Sequence, residues 1–265
     1  MPEGPEIKYL NGMCETYLLG YNLVDIKSNS KDTIKIPENM SKLISIISKG
    51  KLLVFVFGNI YLHIHFGLTG WFVFENPDYP KYELIFKKND KILKIYVDDK
   101  IKFSKLKFYD EDKHLKAINK LGVDIFSIDF TYKYFESCTE KTNKKIVSFL
   151  LDQNKFSGIG NYIKNESLYI AKIDPYRTTS DLDKREIKLL YDAIKFCAYS
   201  NCMELLKQNK DIKSDKNFIN LLKSVKPEIP YKYRVYQQEK DPDGNNVTAE
   251  EISGRKTYYV KKIQQ

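Results

Sequence analysis

The first residues of the chain able to do chemistry are Pro2 and Glu3. Removal of an initiator Met ahead of Pro2 leaves a free secondary amine, and an α-amino group titrates at about 7.7–8.0. A usable fraction is therefore unprotonated near neutrality. Such an amine attacks aldehyde-like carbon and forms an iminium ion, a strong electron sink. The neighbouring Glu3, once burial keeps it protonated, can pass a proton to a leaving or ring oxygen. Amine plus acid is the minimum set for Schiff-base chemistry on a sugar, although Met-Pro-Glu alone is also an ordinary beginning.

Two other segments could hold an anion. In Ser157-Gly158-Ile159-Gly160-Asn161 the glycines allow a tight turn and close backbone approach. Asn161 can cap the next helix and donate to an oxygen ligand, and Lys155 adds charge. An ordinary helical hairpin would read the same way. Near the end, Arg255 follows Gly254 at a hairpin bend, where a guanidinium can fork onto phosphate. A solvated basic hairpin is the alternative there.

Composition allows such a partner. The 265 residues carry 44 Lys+Arg against 35 Asp+Glu, a net charge of +9, which favours nucleic acid or an acidic membrane surface. All but four of the basic residues are Lys, the exceptions being Arg177, Arg185, Arg234 and Arg255. With 42% hydrophobic residues, wholesale disorder is excluded. Cys14, Cys138, Cys197 and Cys202 form no C-x-x-C pair, and His63, His65 and His114 lie far from them in sequence. No zinc site suggests itself, and reduced, buried thiols in a nuclear or cytosolic compartment are expected. The acidic, proline-containing MPEGPE is not a signal peptide.

These residues need elements to position them. Pro5, Glu6 and the apolar face of Ile7, Leu10, Met13 and Tyr17 predict a helix that Gly20 ends. From Leu52 to Phe74 there is no Asp, Glu, Lys or Arg, but the period-two alternation reads as buried strands, not as a membrane span. Strands are expected over 23–27, 33–36, 51–57, 61–66, 70–74, 82–86, 92–97 and 102–108, spaced as in a β-sandwich. A short helix over 114–121 follows. Beyond about residue 130 the period turns helical, over 143–152, 161–172 and 182–206. The tail predicts strands over 231–237 and 257–263 around an Asp241–Asn246 turn. The fold class is α+β, divided as 1–130 (helix and sandwich), 131–228 (helical) and 229–265 (hairpin).

Read together and in order, MPEGPE, SKGK (Ser48–Lys51), HFGLTG (His65–Gly70), LGVDIF (Leu121–Phe126), SGIGNYIKNESLYIAKIDP and GRKTYYVKKIQ resemble the formamidopyrimidine-DNA glycosylase/endonuclease VIII family across essentially the whole chain. The resemblance implies a β-sandwich domain, a helix–two-turn–helix domain ending in a hairpin finger, and damaged DNA gripped between them with one nucleotide flipped out. It implies that Pro2 attacks C1′, Glu3 opens the sugar ring, Lys51 is the essential lysine of the sandwich and Glu6 an acidic residue beside the site. Lys155, Asn161 and Arg255 would hold phosphate. Leu68, Phe103 and Ile101 would fill the gap left by the flipped base, Ile101 standing where the family has an arginine that reads the opposite base. The paired cysteines of the family's zinc finger are missing, Val260 and Ile263 replacing the last pair, so packing and turn chemistry must hold the finger without metal or other cofactor. The resemblance implies a monomeric intracellular enzyme acting on duplex DNA, with single-stranded DNA as a further candidate substrate. An oxidised-pyrimidine preference is favoured, with an oxidised-purine glycosylase, a non-catalytic damaged-DNA binder and a generic basic RNA binder as alternatives.

Overall fold

A computed structural model describes residues 2–209, 211–212 and 216–265. The chain divides into two compact units, one built on Met1–Lys120 and the other on Leu121–Gln208 with Asp215–Gln265.

The first unit opens with α1 (Gly4–Leu18), which carries Pro5 in its first turn and stops before Gly20, whose φ is +82°. Eight strands follow: β1 (Asn22–Ser28), β2 (Ser45–Lys49), β3 (Leu52–Phe57), β4 (Ile60–His65), β5 (Trp71–Val73), β6 (Pro80–Lys88), β7 (Lys91–Asp98) and β8 (Lys105–Asp110). They form two antiparallel sheets of order β1-β6-β7-β5 and β2-β3-β4-β8, a β-sandwich. The charge-free run supplies β3, β4 and β5. Every residue of β3 is buried, because its inner face meets the other sheet while α1 packs against β2 and β3. Phe55 carries the sheet-to-sheet contact, its ring centroid 6.0 Å from that of Phe72 and 6.1 Å from that of Phe86. Helix α2 (Glu111–Ile118) closes the unit and starts at Asp110, whose carboxylate accepts from the Lys113 N–H.

In the second unit, β9 (Val123–Asp124) pairs in parallel with β10 (Phe156–Ser157). Between them lie α3 (Tyr132–Glu140), capped by the Thr131 hydroxyl, and the short α4 (Ile146–Leu150). Then come α5 (Asn161–Ala171), α6 (Lys184–Gln208) and α7 (Lys216–Lys223), and finally the hairpin β11 (Thr248–Ile252) and β12 (Arg255–Tyr259). One apolar core, including Phe135, Phe149, Phe156, Ile163 and Ile194, joins the helices to Ile252 and Tyr259 of the hairpin. No described helix is long and apolar enough to cross a membrane.

Several expectations shift. Residues 33–36 form no strand: the alternation is there, but no neighbouring strand pairs with it. The strand expected over 102–108 begins at Lys105, because residues 99–104 are folded into a tied loop. The helix expected over 114–121 starts and ends three residues earlier, and the one over 143–152 shrinks to α4. The tail segment over 231–237 is not a strand; its N–H groups find a buried side chain instead of a partner strand. Strands β2 and β11 and helices α3 and α7 have no counterpart in the sequence reading. The polar stretch 207–226, in which the sequence shows no motif, falls partly outside the described residues.

Candidate functional site

Within the first unit, the start of α1 gathers three of the proposed residues. Glu3 is the N-cap, fully buried with extended backbone, and its N–H donates to Glu6 Oε2 at 2.8 Å in a capping box. Pro2 is buried immediately ahead of it. Glu6 therefore fixes the backbone on which Pro2 and Glu3 sit. The pairing of Lys49 with Leu52 leaves Gly50-Lys51 as a two-residue hairpin turn, with Gly50 at φ +58° where a side chain would be strained. Lys51 is thereby placed, half-buried, on the turn joining the two strands that α1 packs against.

The three apolar residues expected to fill a base-pair gap lie on two loops that touch. Leu68 and Ile101 are each 40% exposed and Phe103 is 60% exposed, unusual for large apolar side chains. Their backbones are nonetheless fixed. Gly67 (φ +63°) lies so close that a Cβ there would meet the Phe103 carbonyl carbon at 2.8 Å. Asp99, fully buried, ties both loops: one carboxylate oxygen accepts from the Thr69 hydroxyl and the other from the Ser104 N–H at 2.6 Å. Beneath them the buried Lys81 ammonium donates to the carbonyls of Lys102 (2.7 Å) and Ser104. Burial alone would push the Asp99 carboxyl up. The Thr69 and Ser104 donors, with the charge of Lys81, outweigh it and hold the carboxyl below its ordinary value.

On the same unit, His63 Nε2 lies 2.8 Å from His114 Nδ1, both rings buried. Desolvation, with His114 and His65 adding to it, lowers His63 to about 4, so the pair is neutral at physiological pH.

Within the second unit, the glycine turn and the finger meet. The Gln153 amide spans the turn, donating to the Leu151 and Ile159 carbonyls and accepting from the Gly158 N–H. Gly160 is the N-cap of α5 and Asn161 its first residue. The Asn161 amide donates to the Lys256 carbonyl of β12 at 2.9 Å. The finger turns through Ser253-Gly254, both at positive φ (53° and 73°) as a tight hairpin requires, and delivers Arg255 exposed at the start of β12. Lys155 is half-buried at β10, with its carbonyl taken by the Tyr134 hydroxyl. The structure thus joins Asn161 to the strand that carries Arg255.

Three consecutive buried residues that sequence reasoning missed bind the finger to α5. Lys164 donates to Thr257 Oγ1 at 2.8 Å, and Asn165 Oδ1 accepts from the Tyr258 N–H at 3.3 Å. Glu166 accepts from the N–H groups of Arg234, Val235 and Tyr236 at 2.8–2.9 Å. At the end of the chain, the Gln264 amide accepts from the Val260 N–H and donates to the Ile173 carbonyl, tying the finger's far side to the end of α5. The only sequence signal for all this was four polar residues in a row, Lys164 to Ser167, on an otherwise amphipathic helix.

The arrangement has close counterparts. Family models for the formamidopyrimidine-DNA glycosylase N-terminal domain and its H2TH domain match residues 1–110 and 121–208. A formamidopyrimidine-DNA glycosylase of Cytobacillus firmus is 31% identical, over 73% of this chain and 76% of its own length. The chain belongs to the formamidopyrimidine-DNA glycosylase family. That family, which includes endonuclease VIII, comprises base-excision-repair glycosylases with abasic-site lyase activity. A Prochlorococcus marinus (strain MIT 9301) member is 28% identical with both chains fully covered. The fold is shared with the MutM (Fpg) protein of Thermus thermophilus (TM-score 0.74, 21% identity, 99% and 98% covered). It is shared too with the Lactococcus lactis enzyme bound to DNA containing an abasic site (TM-score 0.73, 22% identity, 99% of each chain covered).

Proposed function

We propose that this family member is a bifunctional DNA glycosylase and abasic-site lyase that excises oxidised bases, pyrimidines in preference to purines, wherever the cell keeps its DNA. What carries the reading is the buried Pro2–Glu3 pair, locked by Glu6 at the start of α1. In this mechanism the Pro2 nitrogen bonds to C1′ of the flipped nucleotide and the glycosidic bond breaks, the base leaving with a proton. Glu3 protonates the ring oxygen, the sugar opens, and the electron pair of the nitrogen completes an iminium to C1′. The iminium acidifies the 2′ hydrogen; its loss expels the 3′ phosphate, and a second elimination expels the 5′ phosphate. Water then releases the sugar remnant from Pro2. Lys51 supplies positive charge beside the reacting sugar, while Lys155, Asn161 and Arg255 hold the flanking phosphates so that the reacting atoms stay in register.

Leu68, Ile101 and Phe103 fill the space of the flipped nucleotide in this reading. Their exposure on loops that Asp99 and Gly67 hold rigid supports it. The pyrimidine preference rests on Ile101, whose aliphatic side chain cannot pair with the acceptors of a cytosine opposite an oxidised guanine. The test is borohydride trapping on oligonucleotides bearing thymine glycol, dihydrouracil, 8-oxoguanine, a formamidopyrimidine or a plain abasic site. A covalent adduct on the abasic site and faster excision of the two pyrimidines are expected. Absence of any adduct, with loss of Met1 verified, sinks the catalytic claim and leaves a damage-binding protein.

A further inference from the structure

Lys164 is fully buried in the first turn of α5, where a helix of this unit would ordinarily place an apolar residue. Its ammonium donates to Asn161 Oδ1 at 2.9 Å and to Thr257 Oγ1 at 2.8 Å. The Thr257 hydroxyl in turn donates to the Arg255 carbonyl at 3.1 Å. Asn161 Nδ2 donates to the Lys256 carbonyl. One buried cation therefore sits at the junction of the two residues assigned to the phosphate, Asn161 on the helix and Arg255 on the finger.

We infer that Lys164 is a positioning residue for the DNA-phosphate grip: it fixes the orientation of the Asn161 amide and, through Thr257, the strand that presents Arg255. This rests on the reading that Asn161 and Arg255 bind phosphate. The argument is one of donors and acceptors. An ammonium has three donors and no acceptor, so the atom of Asn161 facing it must be the oxygen. The NH2 group is thereby directed away from Lys164, one hydrogen going to Lys256 and the other being left for an anion. Without the ammonium the amide could flip, presenting an acceptor oxygen to a phosphate that needs donors.

The test uses the full chain and a duplex bearing a tetrahydrofuran abasic analogue, with Kd measured between 50 and 200 mM salt. Lys164→Met, Asn161→Ala and the double variant form a cycle, with Thr257→Val as an independent cut that leaves the ammonium in place. Lys164→Met is expected to weaken binding by about tenfold and to flatten the log Kd–log salt slope by up to about 0.9, the equivalent of one phosphate contact. The double variant should lose less than the sum of the two single losses, because part of the lysine's effect runs through the amide. Thr257→Val should weaken binding in the same direction, and it carries the test if Lys164→Met does not fold. Wild-type affinity and slope in Lys164→Met, or in Thr257→Val where that variant stands alone, overturn the inference, as do additive losses in the double variant. Unchanged binding in both Asn161→Ala and Arg255→Ala would instead overturn the phosphate-grip reading.

Discussion

Replacement of Asp99 gives the sharpest test of how the loops proposed to fill the gap are held. The carboxylate is fully buried and accepts from the Thr69 hydroxyl and the Ser104 N–H, one oxygen to each loop. A hydrogen bond to a charged group contributes roughly 1.5–3 kcal/mol, so Asp99→Ala, which removes both and orphans a buried N–H, should cost about 3–5 kcal/mol. Asp99→Asn should cost less, about 1–2 kcal/mol. Its carbonyl can still take Ser104 while its NH2 faces Thr69, whose hydroxyl can rotate to accept. The folded carboxyl lies below its ordinary value, near 3.9 when unfolded. Its charged form therefore stabilises the fold fully above about pH 5, and that stabilisation is lost as pH falls through the folded value. The wild-type advantage over Asp99→Asn should accordingly be constant from pH 8 to 5 and shrink below pH 4. Urea unfolding across that range measures it. On the functional side, Asp99→Ala should slow base excision from duplex far more than strand cleavage at a pre-formed abasic site in a single strand, where no gap needs filling. A pH-independent gap down to pH 3, an Ala cost under about 1 kcal/mol, or equal losses in both assays would falsify the proposed tie.

Three further outcomes follow from the same geometry. Gly67→Ala places a Cβ 2.8 Å from the Phe103 carbonyl carbon at φ +63°, and should cost about 2–4 kcal/mol by urea unfolding while slowing duplex excision selectively. His63, lowered to about 4 against 6.5 unfolded, is buried neutral, so the unfolded chain binds the extra proton first and stability falls on acidification. The loss between pH 7 and 5 should be on the order of 2 kcal/mol, and His63→Phe should flatten that dependence. Ile101→Arg should introduce a preference for cytosine opposite the lesion, where the wild type is expected to excise opposite all four bases at similar rates; a strong cytosine preference in the wild type refutes the role given to Ile101.

Much of the machinery was legible because local geometry demands particular residues. A helix start wants Pro and Glu, and Pro2, Glu3, Pro5 and Glu6 announce it. A two-residue hairpin turn wants positive φ, and Gly254 marks the bend that carries Arg255; Lys51, read as the start of a strand, instead lies in the turn with Gly50. What misled was propensity without a partner. Residues 231–237, rich in Tyr, read as a strand, yet Glu166 captures the N–H groups of three of them. The arginines make the same point. Arg177 forks onto Glu186, and Arg234 pairs with Glu228 at 2.5 Å while lying over the rings of Phe196 and Tyr231. These are internal ties, whereas Arg255 is exposed on the finger; Arg185 is exposed too, and nothing in the structure explains it.

The sequence by itself determined the family, the two-sheet and helical character of the successive segments, and the identity of the proposed nucleophile. Each of these is written in residue type and short-range spacing. Only the tertiary structure decided that Asp99 ties the loops of Leu68 and Phe103, and that Lys164, Asn165 and Glu166 anchor the finger to α5. The physical reason is that a charged side chain reads as solvated surface until its partners are known. Burial becomes tolerable only when residues about 30 to 90 positions away, such as Thr69 for Asp99 and Thr257 for Lys164, supply the missing donors and acceptors.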